Sequence, residues 1–180
     1  MKTIRLFIFF LIVQISCTND PKLVQEFVSD KHLPIEQIKG ANLLHTENGK
    51  VKVRVVASSI ERFQDIQPAL IFNDHLEVYF YNDSSQLQST LMSDYASIDE
   101  EKKIMMAQHN VILISSDNKK LETDELIWDE KKNKIYTDKK VKITTGKEVI
   151  YGEGFTSTPD FKQYSITKIH GTFDFATPTH

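Results

Sequence analysis

Cysteine is almost absent from this chain. Only Cys17 is present among 180 residues, so no intrachain disulfide forms and no thiolate metal cluster can be built. Glycine and proline are also sparse, at 6 and 5 residues, which excludes collagen-like and low-complexity sequence. The six histidines are His32, His45, His75, His109, His170 and His180, and none has metal-ligand spacing to another. There is no basic excess: the formal charge is −3, so the electrostatic footprint of a nucleic-acid binder is missing. G-x-S-x-G, P-loop and dinucleotide-binding glycine patterns do not occur. No uncharged run reaches the roughly 20 residues that span a bilayer. The run Leu6 to Asn19 is 14 residues long.

That run is nevertheless organised. Lys2 and Arg5 precede an apolar core, Leu6 to Val13, and "QISC" follows. This is the layout of a secretory signal. A lone Cys directly behind such a core resembles a lipobox, which marks Cys17 as a candidate lipid anchor. An ordinary cleaved signal and a short retained anchor are the other readings. Cleavage before Cys17 takes 22 basic residues to 20 against 25 acidic, a formal −5, and leaves the mature domain outside the cytoplasm, tethered rather than embedded. Residues 1–17 are thus the anchor segment. Residues 18–41 lack sustained periodicity and read as a linker with at most a helical turn, residues 42–174 as one domain, and 175–180 as a tail.

From Gly49 the pattern is all-β. "KVKVRV", "HLEVYFY", "NVILI" and "KVKIT" alternate or are rich in β-branched and aromatic residues, and turn-formers such as "NDSSQ", "SSDNKK" and "DEKKNK" separate them. The chain also repeats itself. Leu91 aligns with Leu121, Asp94 with Asp124, Ile98 with Trp128 and Val111 with Val141, always 30 residues apart. The unit's first half, apolar-x-small-x-x-apolar, occurs four times, with Ala57, Ser93, Thr123 and Gly152 at the small site. A looser second half follows each, so eight strands in four pairs fill most of residues 50–174. Within a first half the apolar positions change parity, which a straight strand cannot satisfy. A bulge or bend is therefore expected near Ser58, Asp94, Asp124 and Glu153. Strands that turn corners suit a curved sandwich or jellyroll.

Catalytic signals are thin. Glu122 and Asp124 share a strand face opposite Leu121 and Thr123, which reads as a solvated outer face rather than an acid/base pair. The chemistry that remains is apolar. Val53, Val55, Val78, Phe80, Leu91, Ile98, Met106, Val111, Leu113, Leu121, Trp128, Val141, Ile143 and Phe155 are read as inward-facing, together with Ile104, Ile135 and Ile150. Such residues ordinarily make a core. They equally line a groove for an acyl chain, and Met92, Met105 and Met106 would adapt to an irregular one. Periodicity does not separate the two.

The stretches "ENGKVKVRVVAS", "LEVYFYNDSSQLQSTLMSDYASID", "KLETDELIWDEKKNKIYTDKKVKIT" and "VIYGEGFTS" resemble the OstA-like repeat domain of lipopolysaccharide export proteins, most closely the LptC family. The pattern covers about residues 42–174. Many members carry a full transmembrane helix, whereas this chain has a short segment ending at Cys17. The resemblance implies a twisted, V-shaped β-jellyroll, open along one side. It implies no catalysis, cofactor or metal. It implies a periplasmic protein at the inner membrane that receives lipopolysaccharide from an ATP-driven (ABC) transporter and passes it to the next jellyroll of a bridge. The fourteen inward residues would then be groove residues. The edge around Val51 to Ala57 would face the transporter, and the edge around Tyr164 to Phe173 the next protein. A surface-anchored β-scaffold without lipid transfer is the alternative.

Overall fold

The computed structural model describes residues 33–170. The signal segment, Cys17, most of the linker, Phe173 and the tail lie outside the described residues.

Nine strands follow one another with no helix between them: β1 (Glu36–Glu47), β2 (Lys50–Arg62), β3 (Leu70–Tyr81), β4 (Leu87–Asp99), β5 (Ile104–Ser115), β6 (Lys120–Asp129), β7 (Lys134–Thr144), β8 (Val149–Ser157) and β9 (Tyr164–Ile166). They form one antiparallel sheet in sequence order. β1 and β9 do not pair with each other, so the sheet is open, as an open β-jellyroll is. β1 corrects two expectations. It begins at Glu36, inside the stretch read as linker. It also covers β2 from Gln37 to Glu47, so Val51 to Ala57 is not an edge; β1 is. Its only buried residue is Ala41, and without a buried face there is no alternation for sequence to display.

Every long strand is broken near its middle. β2 shifts register between Ala57 and Ser59, β4 between Met92 and Tyr95, and β6 between Thr123 and Ile127. In β8 the backbone turns at Gly154, with φ of +83°. These are the bends expected near Ser58, Asp94, Asp124 and Glu153. They shift the inward parity as the sequence requires: Leu91 and Ser93 are buried before the break in β4, Ala96 after it.

β3, β5 and β7 bend differently. Two or three exposed residues form each corner, and inward parity is kept: Phe72, then Leu76 and Val78; Met105 and Ala107, then Val111 and Leu113; Ile135 and Thr137, then Val141 and Ile143. The corners of β3 and β5 use consecutive positive φ values, Asp74 and His75 (67° and 133°) and His109 and Asn110 (63° and 52°), a region that Asn, Asp and His tolerate better than most residues. Constant parity in β5 overturns one expectation. Met106 lies between Ser97 and Ile127 on the outer face, as does Ile104 by parity, and Met105 is the buried inward residue.

The corners line up, so the sheet creases into two limbs. The limbs fold onto each other. Phe80, near the rim of one limb, meets Trp128, near the rim of the other, with ring centroids 5.2 Å apart and planes at 89°. In a flat sheet the two would be separated by three strand spacings, about 14 Å, before any distance along the strands is added. Ser89 Oγ, beside Phe80 in register, donates to the Pro159 carbonyl in the β8–β9 loop, at 2.7 Å.

Candidate functional site

An unbroken apolar row runs along the inner face of the first limb. Leu43, Val55, Val78, Leu91, Leu113, Leu121, Ile143 and Ile150 are consecutive register partners across β1 to β8. The second limb carries a matching row of Leu70, Ile98, Met105, Trp128 and Ile135. Of the fourteen residues read from sequence as groove candidates, thirteen converge on this interior. Val78, Phe80, Leu91, Val111, Leu113, Leu121, Val141, Ile143 and Phe155 are buried, and Val53, Val55, Ile98 and Trp128 pack against them half-buried. Met106 does not join them.

Burial is graded along the trough. Leu113, Leu121 and Ile143 are 0 % exposed, so the limbs are packed together through the middle. At the β1 end the inner row is open: Leu43 is 43 % exposed and Ile38 39 %, and Val53 and Val55 are half-buried. The N-terminal edge is therefore where apolar inner surface reaches solvent. At the other end the trough is plugged. Phe161, in the β8–β9 loop, is 0 % exposed. It makes edge contacts with Phe155 and Tyr164, at 5.5 and 5.4 Å between centroids. Sequence gave no sign of this residue, because "TPDFKQ" reads as a turn.

The C-terminal segment closes over β8 because two glycines permit it. A Cβ at Gly152 would collide with the Ile166 side chain, and one at Gly154 with Thr167 Oγ1. The approach is sealed by Glu153 N–H donating to Thr167 O (3.1 Å), Thr167 N–H to Gly154 O (3.0 Å) and His170 N–H to Tyr151 O (2.8 Å).

The outer face and rims are ionic. Glu122 is bracketed by Lys120 (2.9 Å) and Lys142 (3.1 Å), whose hydrogen bonds hold its carboxyl below the ordinary carboxylate range. A carboxylate ionised so readily is a poor proton carrier near neutral pH. The repeat also writes the second limb's rim twice. Asp99 binds Lys102 (2.7 Å) and Asp129 binds Lys132 (2.8 Å), each carboxylate also accepting the backbone N–H of that lysine. The lysine side chain is the main cause that depresses both carboxyl pKa values. Among the described residues no cluster of His, Cys, Asp and Glu could hold a metal ion.

A model of LptC-related lipopolysaccharide-assembly proteins matches residues 6–168. The chain belongs to the LptC family. LptC proteins are lipopolysaccharide transport components, not enzymes, and are associated with the periplasmic side of the inner membrane. No curated relative matches the chain. Among the described residues no helix is long and apolar enough to cross a membrane.

Proposed function

We propose that this LptC-family protein is the tethered periplasmic carrier of lipopolysaccharide export. It takes lipid from an inner-membrane ABC transporter and hands it along a jellyroll bridge toward the outer membrane. The carrying observation is the continuous apolar row from Leu43 to Ile150, open at its β1 end. Acyl chains need such a surface, since each CH₂ left in water costs about 0.8 kcal/mol. The net charge is negative, so affinity comes mainly from the chains and not from a field attracting the lipid's phosphates. The thirteen inward candidates are the proposed lipid contacts, reached in order from Val53 and Val55 inward as the limbs part.

Strand addition supplies the handovers. The outer side of β1 presents unpaired backbone groups to the transporter's side, and β9 with the residues after it presents the edge for the next jellyroll. Cys17, as the lipidated N-terminus of the mature protein, is the proposed tether. Photocrosslinking in cells tests this, with the probe at Val55, Leu91 and Leu121 in turn and at the exposed Lys132 as control. Lipopolysaccharide-sized adducts at inner positions, strongest at Val55 and absent at Lys132, are expected. A folded, correctly located protein giving no inner adduct would leave the interior as plain core and favour a β-scaffold without lipid transfer.

A further inference from the structure

We propose that the Trp128 indole N–H is the polar anchor of the lipid site. It would donate a hydrogen bond to the ester carbonyl that joins an acyl chain to its headgroup. The inference rests on the reading of the trough as a lipid site and adds to it a residue and an atom.

Trp128 Nε1 is buried and has no hydrogen-bond acceptor; among the described residues it is the only buried side-chain nitrogen or oxygen so placed. Buried donors are almost always paired, and an exception calls for an explanation. Nothing beside it serves. Its register partners are Met105 and Ile135, which offer a weakly accepting thioether and nothing. Across the trough stands the ring of Phe80. An indole donates and cannot accept, so the site selects an acceptor.

Depth identifies that acceptor. Trp128 is the penultimate residue of β6, next to Asp129, which accepts the Lys132 backbone N–H in the rim turn at 3.0 Å. It therefore lies at the rim of its limb, where it meets Phe80 and opens as the limbs part, with Leu126 and the corner deeper. A lipid with its chains inside and its sugars outside puts its chain carbonyls at this level. A phosphate would carry a charge into a row of apolar side chains, where desolvation opposes it. A carbonyl carries no charge and needs one donor.

Trp128 is the sole tryptophan, so the ¹H–¹⁵N spectrum of the whole mature protein holds a single indole signal. Lipid A is added, and separately a synthetic lipid A whose ester-linked chains are ether-linked. The expected result is a downfield shift of the indole signal with lipid A, and roughly tenfold weaker binding of the ether analogue. Trp128→Phe keeps an aromatic ring against Phe80 and should lose roughly tenfold in lipid A affinity together with the preference for esters. The proposal is overturned if lipid A moves the signals of Leu113 and Leu121 while the indole stays still, or if Trp128→Phe keeps the preference. If no inner-face signal moves, the lipid reading of the trough fails and the anchor fails with it. The indole shift is read in the natural sequence and does not depend on the variant's folding.

Discussion

Replacing Gly152 with alanine tests how the C-terminal edge is held. The new Cβ would overlap the Ile166 side chain and lie 3.3 Å from the Thr167 carbonyl. Overpacking of this kind costs about 1–3 kcal/mol when the neighbours stay. They need not stay. Releasing residues 164–170 forfeits a handful of backbone hydrogen bonds, each worth about 1 kcal/mol net. It returns roughly 1 kcal/mol or more of backbone entropy per residue. Release also gives up the packing of Tyr164 and Ile166 against the core, so those two terms alone do not decide the outcome. Because the segment can undock instead of bearing the clash, the overpacking cost of about 1–3 kcal/mol is the ceiling on the net loss. For a domain of this size a loss at that ceiling lowers Tm by about 3–10 °C. Hydrogen exchange locates the effect. The amides of Tyr151 and Glu153, which donate to His170 and Thr167, should exchange rapidly in Gly152→Ala, while those of Leu113 and Leu121 stay protected. Gly146→Ala is the control: no atom lies within 4 Å of its Cβ and its φ is outside the positive region, so Tm should hold or rise slightly. Protected Tyr151 and Glu153 amides in Gly152→Ala would refute the claim that glycine is what lets this segment dock.

Two further predictions separate the packed middle from the open end and the rim. Leu121→Ala, at a fully buried position, should cost about 2–5 kcal/mol, whereas Leu43→Ala on the same row should cost under about 1 kcal/mol; denaturant titration reads both, and equal losses would contradict the graded trough. Asp99 and Asp129 are held below the ordinary carboxylate value of 3.8 by Lys102 and Lys132. A depressed folded pKa adds stability above the unfolded value and loses it as pH falls through the folded one. Tm should therefore drop below about pH 4 in the natural sequence and drop less in the Asp99→Asn, Asp129→Asn double variant; identical acid profiles would show these turns to be passive.

Sequence exposed the corners of β2, β4, β6 and β8 because there the crease breaks alternation, so the parity of Leu91 against Ile98 betrays it. The corners of β3, β5 and β7 keep parity and leave no such trace. Their one signal is polar residues interrupting a strand, "NDH", "HN" and "DKK". Placing Met106 inward with Val111 and Leu113 supposes a change of parity at the β5 corner that does not occur, and Met105 is the inward residue. β1 was illegible for the opposite reason: an edge strand with one buried residue has no inner-outer contrast to display. The site was legible as a set of apolar positions. What alternation does not carry is how closely the two limbs approach. Phe161 was hidden because its burial comes from a loop folding back, and the orphaned N–H of Trp128 because a missing acceptor is a fact of three dimensions.

The consecutive order of the strands has a thermodynamic consequence. Each strand has only its predecessor and successor as backbone neighbours, so the ladder hydrogen bonds form a short linear array, and only side-chain contacts across the crease, such as Phe80 on Trp128, tie distant strands together. Such an array melts from its ends like a zipper, and here the outermost links are the exposed β1 and the three-residue β9. The same order makes length a free variable. Deleting or duplicating one 30-residue period would shorten or lengthen the channel by two strands, about 10 Å, without altering its cross-section. A further chain paired on the β1 edge would then extend the same interior, whereas at the β9 edge the Phe161 plug stands between one interior and the next.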